Sequence, residues 1–174
     1  MRMTLGWSIA PFALVAVLFT ASVYSGAADS SVSVQLFSSK AVPRTVEDQT
    51  HRAILRDYRF AWTSLAQIVE FGTADPIEGP FVDAAKKTLS QKLASEQHTG
   101  LRERYLDQSH KLEAVFYAPE GDVIELHDTA EYQLQVLDGG KVIHDEHVVR
   151  HYVVLMTPAA DRWVIRQMEA VPQF

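Results

Sequence analysis

The sequence predicts an α+β fold, a cone-shaped, curved antiparallel sheet of about four strands packed against two to three N-terminal helices. Three observations predict it. Apolar residues recur at three-to-four spacing from Ile54 to Val69, which makes one face of a helix. After Gly100 the period changes to two, most cleanly in "VIELHDTAEYQLQVL" (123–137), the mark of strands with one buried face. Turn residues then divide the β part into hairpins, at "PEGD" (119–122), "DGG" (138–140) and "TPAAD" (157–161). Helices first and a meander afterwards place the helices on one face of the sheet.

The elements follow in order. Residues 1–28 read as a signal peptide or membrane anchor. Arg2 precedes an uncharged run from Met3 to Ala28, longer than the ~20 residues that span a bilayer. Ser25-Gly26-Ala27 offers a small-x-small cleavage site. Either form exports the rest of the chain, because the positive charge lies on the N-terminal flank. The expected location is the periplasm, or the inner membrane with the C-terminal domain outside the cytoplasm. Residues 29–44 read as a Ser/Val-rich linker with a short extended piece at Val32–Phe37. The domain proper is 45–174.

Thr45 and Asp48 resemble a capping box opening the first helix, and Gly72 suits its left-handed end. Arg52, Arg56, Arg59, Thr63, Gln67 and Glu70 fall on its polar side, and past His51 no Asp or His falls on the apolar stripe. Asp75-Pro76 starts a short turn, and Pro80 fits the first position of a second helix. That helix carries Phe81, Ala84, Ala85, Leu89 and Leu93, and ends near Gly100. In the first long strand Leu112, Ala114 and Phe116 share one face, and Val115 and Tyr117 the other.

Composition excludes several functions. Lys plus Arg is 16 against 22 Asp plus Glu, a formal net charge of −6 with no dense basic run, so nucleic acid is not an expected partner. The absence of cysteine removes disulfides, thiol catalysis and a lipid-modified export site. No cofactor is expected.

"KVIHDEHVVRHYVVLM" (141–156) looks most like chemistry, with His144, His147 and His151 near Asp145 and Glu146. On a helix the histidines would share a face. The valines, Ile143 and Tyr152 make the segment β-forming, and "DGG" before it is hairpin chemistry. On a strand His147 and His151 stand about 13 Å apart, too far to ligate one ion. No metal site is expected. Asp145 with His147, and Glu146 with Arg150, are same-face pairs on a solvated strand.

The arrangement resembles the nuclear transport factor 2-like superfamily over roughly residues 45–171. The resemblance rests on "HRAILRDYRFAWTSLAQIVEFG", "DPIEGPFVDAAKKTL", "KLEAVFYAPEGDVIELHDTAEYQLQVLDGGKVI" and "DRWVIRQM". It is similar above all to bacterial relatives of the intermembrane-space type of domain found in chloroplast division proteins. These pair a helix-one "W…L" with late "Y-x-V" and "W-x-I" strands, here Trp62/Leu65, Tyr152/Val154 and Trp163/Ile165.

The resemblance implies a cone with a pocket, for which Tyr58, Trp62, Phe81, Leu126, Tyr132 and Tyr152 are candidate lining residues. The superfamily includes ketosteroid isomerase and polyketide cyclases beside many binding and assembly domains, and a fold does not choose between them. For an enzyme of that type Asp128 is the candidate general base, since it shares parity with Ile124, Leu126, Ala130 and Tyr132. A bulge at His127–Thr129 that turns Asp128 outward is the preferred reading, and Asp128→Asn is then expected to leave function intact. The expected role is a non-catalytic binding or scaffolding domain. Its partner would be an envelope protein or a small apolar ligand, with the membrane reached through an uncleaved N-terminus. A second copy could dock on the polar sheet face of Glu131, Gln133, Gln135 and Arg150.

Overall fold

The computed structural model describes residues 32–174, so the signal or anchor expected at 1–28 lies outside the described residues. Among the described residues six strands and two helices form: β1 (Ser33–Phe37), β2 (Val42–Pro43), α1 (Asp48–Phe71), α2 (Asp83–Thr99), β3 (Leu101–Tyr117), β4 (Ile124–Asp138), β5 (Lys141–Ala159) and β6 (Arg162–Val171). A 3-10 turn, Asp75–Ile77, joins the helices. Among the described residues, no helix is long and apolar enough to cross a membrane.

The sheet runs β1–β3–β4–β5–β6, with β2 also on β3. The four long strands are the antiparallel meander the sequence predicts. The sheet as a whole is mixed, because β1 and β2 pair parallel to β3. This departs from the purely antiparallel expectation, and the cause is local. Val34 and Leu36 alternate with polar residues and both are buried, so the Ser/Val-rich stretch carries a strand with one apolar face. Reaching β3 from β1 then takes a crossover through both helices, which makes the pairing parallel. Strands this long twist and curl, and the helices pack on the concave side.

Helix α1 buries Ile54, Tyr58, Ala61, Trp62, Leu65, Ile68 and Val69, the predicted stripe. Its N-cap is Glu47, with no side-chain cap hydrogen bond, so the Thr45 capping box does not form. Gly72 ends it with φ 65°. The stripe is interrupted after all. Asp57 is buried, and its carboxylate accepts from the Trp163 backbone N–H at 2.7 Å and from Arg56 Nε at 2.7 Å. It therefore fastens α1 to the start of β6, at a depth where an unpaired carboxylate would be costly. Helix α2 starts at Asp83, not Pro80. Phe81 instead bridges to Ile165 of β6.

Two bulges set which residues of β3 face the helices. The pairing with β4 shifts between Asp107 and Ser109 and again between Ala114 and Phe116. Each extra residue reverses the alternation. As a result His110, Leu112 and Ala114 are buried on one parity, Tyr117 is buried on the other, and Phe116 is exposed. The expected Leu112–Ala114–Phe116 face thus breaks at Val115. Strand β4 shows no such shift near Asp128, which pairs in register with Leu112 and Tyr152.

Candidate functional site

Strand β5 is a strand throughout, and its histidines separate. His147 Nε2 lies 2.9 Å from Glu131 Oε1 on β4, His144 Nε2 lies 3.4 Å from Glu146 Oε2, and His151 Nδ1 lies 3.3 Å from Thr129. Asp145 accepts from Gln133 and Gln135, not from His147. Cross-strand neighbours take His147, His151 and Asp145, because opposite Cβ atoms stand closer than residues two apart along one strand; His144 alone keeps a same-strand partner, Glu146. Arg150 pairs across from Ala130, on the concave face. It does not share a surface with Glu131, Gln133 and Gln135 as expected.

Asp128 points inward, contrary to the bulge expected at 127–129. Its side chain and that of His110 are each 0% exposed. Tyr58 donates its hydroxyl to Asp128 Oδ2 at 2.7 Å, and His110 Nδ1 reaches the same oxygen at 2.9 Å. Burial first, and the Asp128 charge second, push the Tyr58 phenol well above its ordinary value, which keeps it a donor. The His110 ring also packs against Trp62 with centroids 4.4 Å apart. His110 was not among the candidates, although counting back two from Leu112 places it on the buried face. Asp128 is thus a carboxylate sealed beneath Tyr58 and His110, and it lines none of the clefts described here.

The candidate pocket residues divide. Tyr58, Leu126 and Tyr132 are fully buried in the packed core. Phe81 and Tyr152 line a cleft of about 240 Å³ between α2 and the concave face of β3, β5 and β6. Trp62 borders a second depression, on the β1 side of α1. Leu65, Ala85, Leu89 and Met168 add apolar wall to the cleft, and Lys92, Glu103, Tyr105 and Arg150 add polar groups.

The polar groups of the cleft are mostly spoken for. Lys92 Nζ bridges Glu96 at 2.9 Å and Glu103 at 2.8 Å. Tyr105 donates to Glu103 at 2.6 Å. Burial works against ionising Glu103, but the hydrogen bonds from Lys92 and Tyr105 win and hold it below the usual range. The Tyr132 and Tyr152 hydroxyls bond to each other at 3.1 Å. Arg150 differs: among the described residues no carboxylate lies within ion-pairing distance of it. The cleft therefore presents an apolar wall ending in a guanidinium that has no direct carboxylate partner, although the Glu103 charge and the Tyr152 hydroxyl act on it.

No protein-family profile and no curated protein matches the chain. Solved structures do. The intermembrane-space region of chloroplast protein ARC6 superposes with a TM-score of 0.59 at 12% identity, over 74% of this chain and 98% of that one. At that identity the likeness shows a shared fold. It fits the α+β architecture the sequence predicts and leaves activity to the site itself.

Proposed function

We propose that this protein is an extracytoplasmic, non-catalytic interaction domain of the nuclear transport factor 2-like type. Its cleft between α2 and the concave sheet holds an apolar chain that ends in an anion. The observation that carries this reading is the pairing of an apolar wall with Arg150, a cation that lacks a carboxylate partner among the described residues. A few placed polar groups on a mostly apolar concave surface are the usual form of a small-molecule site. The guanidinium gives a carboxylate or phosphate two parallel hydrogen bonds. Export rests on the uncharged, Arg2-preceded N-terminal run. The likeness to an intermembrane-space region fits a domain working outside the cytosol.

A ketosteroid-isomerase-like use of Asp128 fits less well, because a substrate would need a path to a side chain that is 0% exposed. A second reading, partner docking by strand addition, is favoured by one feature. Strand β6 pairs with β5 only from His151 onward, so Lys141–Arg150 keep one edge without a strand among the described residues.

The test is native mass spectrometry of the full chain extracted in mild detergent, with an open search for bound species. A co-purifying anionic amphiphile, lost in Arg150→Gln, is the expected result. A ligand-free chain from every extraction, or a bound species indifferent to Arg150, contradicts the reading.

A further inference from the structure

A second depression lies on the β1 side of α1, bordered by Trp62. The depression of about 440 Å³ beside β1 is bordered by Val34, Arg59, Trp62, Asp107 and His110, among others. Its construction depends on the first bulge of β3. Asp107 and His110 are three residues apart and would face opposite ways on a regular strand. The irregularity between Asp107 and Ser109 turns both toward α1.

The hydrogen-bond inventory here is lopsided. Both Tyr58 and His110 address Asp128 Oδ2, and a carboxylate only accepts, so His110 donates to it from Nδ1; in the neutral ring Nε2 is then a lone-pair acceptor. Nε2 is buried and has no partner among the described residues, and the same holds for Asp107 Oδ1, Asp128 Oδ1 and Trp62 Nε1. Of these, Asp107 Oδ1 and, in a neutral ring, His110 Nε2 are acceptors on residues that border the depression, whereas Asp128 does not line it. Buried polar groups are nearly always satisfied, and leaving one unpaired is costly. A group that answers several acceptors at once must carry several protons on one small centre. A primary ammonium does so, with three N–H donors. The Trp62 ring beside His110 offers it the negative face of an indole.

At the rim, Arg59 donates to the Val34 carbonyl at 2.9 Å. Like Arg150, it has no carboxylate within ion-pairing distance among the described residues. Its remaining N–H groups suit a second, anionic end of the same molecule.

We propose that this depression binds a small primary ammonium compound that also bears a carboxylate, an amino acid in the broad sense. The ammonium sits on Asp107 and His110 and the carboxylate on Arg59. Asp128 and Tyr58 are positioning residues that fix the His110 tautomer. The site is separate from the cleft under α2, so failure of one leaves the other standing.

The experiment is titration calorimetry of the full chain in mild detergent. The probes are the common amino acids, 4-aminobutanoate, ethanolamine, which lacks the carboxylate, and N-acetylalanine, which lacks the ammonium. The expected result is saturable binding of at least one amino acid, with no binding of N-acetylalanine. Asp107→Asn should weaken that binding by roughly tenfold or more, the loss of about one charge-assisted contact, while its melting temperature does not fall. Arg59→Gln, with its melting temperature measured beside it because Arg59 also holds the Val34 carbonyl, should reduce the amino acid to the affinity of ethanolamine. Three results would each overturn the proposal: no saturable binding by any amine, binding of N-acetylalanine equal to that of alanine, or binding undiminished in both variants. In each of those cases the unpartnered atoms are simply solvated by ordered water.

Discussion

Asp128 shows how a single side chain can reverse its expected role once its neighbours are known. It accepts two hydrogen bonds at full burial, and bonds to charged groups at such depth contribute about 1.5–3 kcal/mol each. Asparagine at this position keeps the shape but offers a weaker acceptor. Asp128→Asn is therefore predicted to lose about 2–3 kcal/mol in urea unfolding, where an outward Asp128 would lose nothing. An unchanged midpoint would contradict the buried pairing. Asp107 makes the opposite kind of prediction. Burial raises its carboxyl to about 6 from an ordinary 3.8, with the Asp128 charge adding and His110 opposing. A raised folded value means that the stability it contributes is present below about pH 4 and is lost as pH rises through about 6. Allowing for its partial exposure, the loss is about 2 kcal/mol at most. Asp107→Asn should then be the more stable protein near pH 7.5 by ~1–2 kcal/mol, with the advantage vanishing near pH 4. A group that costs the fold stability at neutral pH fits a binding role better than a structural one.

At the scale of elements, legibility followed regularity. The stripe on α1 and the alternation on β4 could be read because neither contains an irregularity at the positions counted. Strand β3 could not be read to the same depth, because each bulge adds one residue and reverses every side chain beyond it. No residue type marks Gln108 or Val115 as the extra one. His110 was still within reach, sharing parity with Leu112 and Ala114, whereas Asp107 lay beyond a bulge and was not. Asp57 escaped notice because a carboxylate on an apolar stripe makes sense only once the Trp163 N–H is known to face it. Strand β1 falls on the short extended piece expected at Val32–Phe37, but its brevity and its serines gave no sign that it joins the sheet beside β3. Its contribution can be measured, since Val34 is buried against α1 and β3. Val34→Asp is predicted to cost about 2–3 kcal/mol of stability by burying a charge. A change within about 0.5 kcal/mol, the range of surface substitutions, would mean that β1 behaves as linker.

Across the whole molecule, the helices cover only part of the long ribbon formed by β3, β4 and β5. Among the described residues the uncovered part has an open strand edge at Lys141–Arg150, with Val142, Ile143 and Val149 exposed. Long apolar edges invite pairing. If this edge docks a partner or a second copy, Val149→Lys should abolish that association in analytical ultracentrifugation and leave thermal stability within about 0.5 kcal/mol of the parent. If the association persists in the variant, the contact lies elsewhere. The covered part carries two hollows, one under α2 and one beside β1. One is apolar and ends in Arg150, and the other is polar and lined by Asp107 and His110.

The central claim is that the cleft under α2 recognises an apolar chain by its anionic end, and titration of the full chain with decanoate and decanol tests it most directly. Decanoate is predicted to bind saturably and more tightly than decanol, and Arg150→Gln to bring the two to equal affinity without lowering the melting temperature. Equal binding of both by the unmodified protein, or no binding of either, would contradict it.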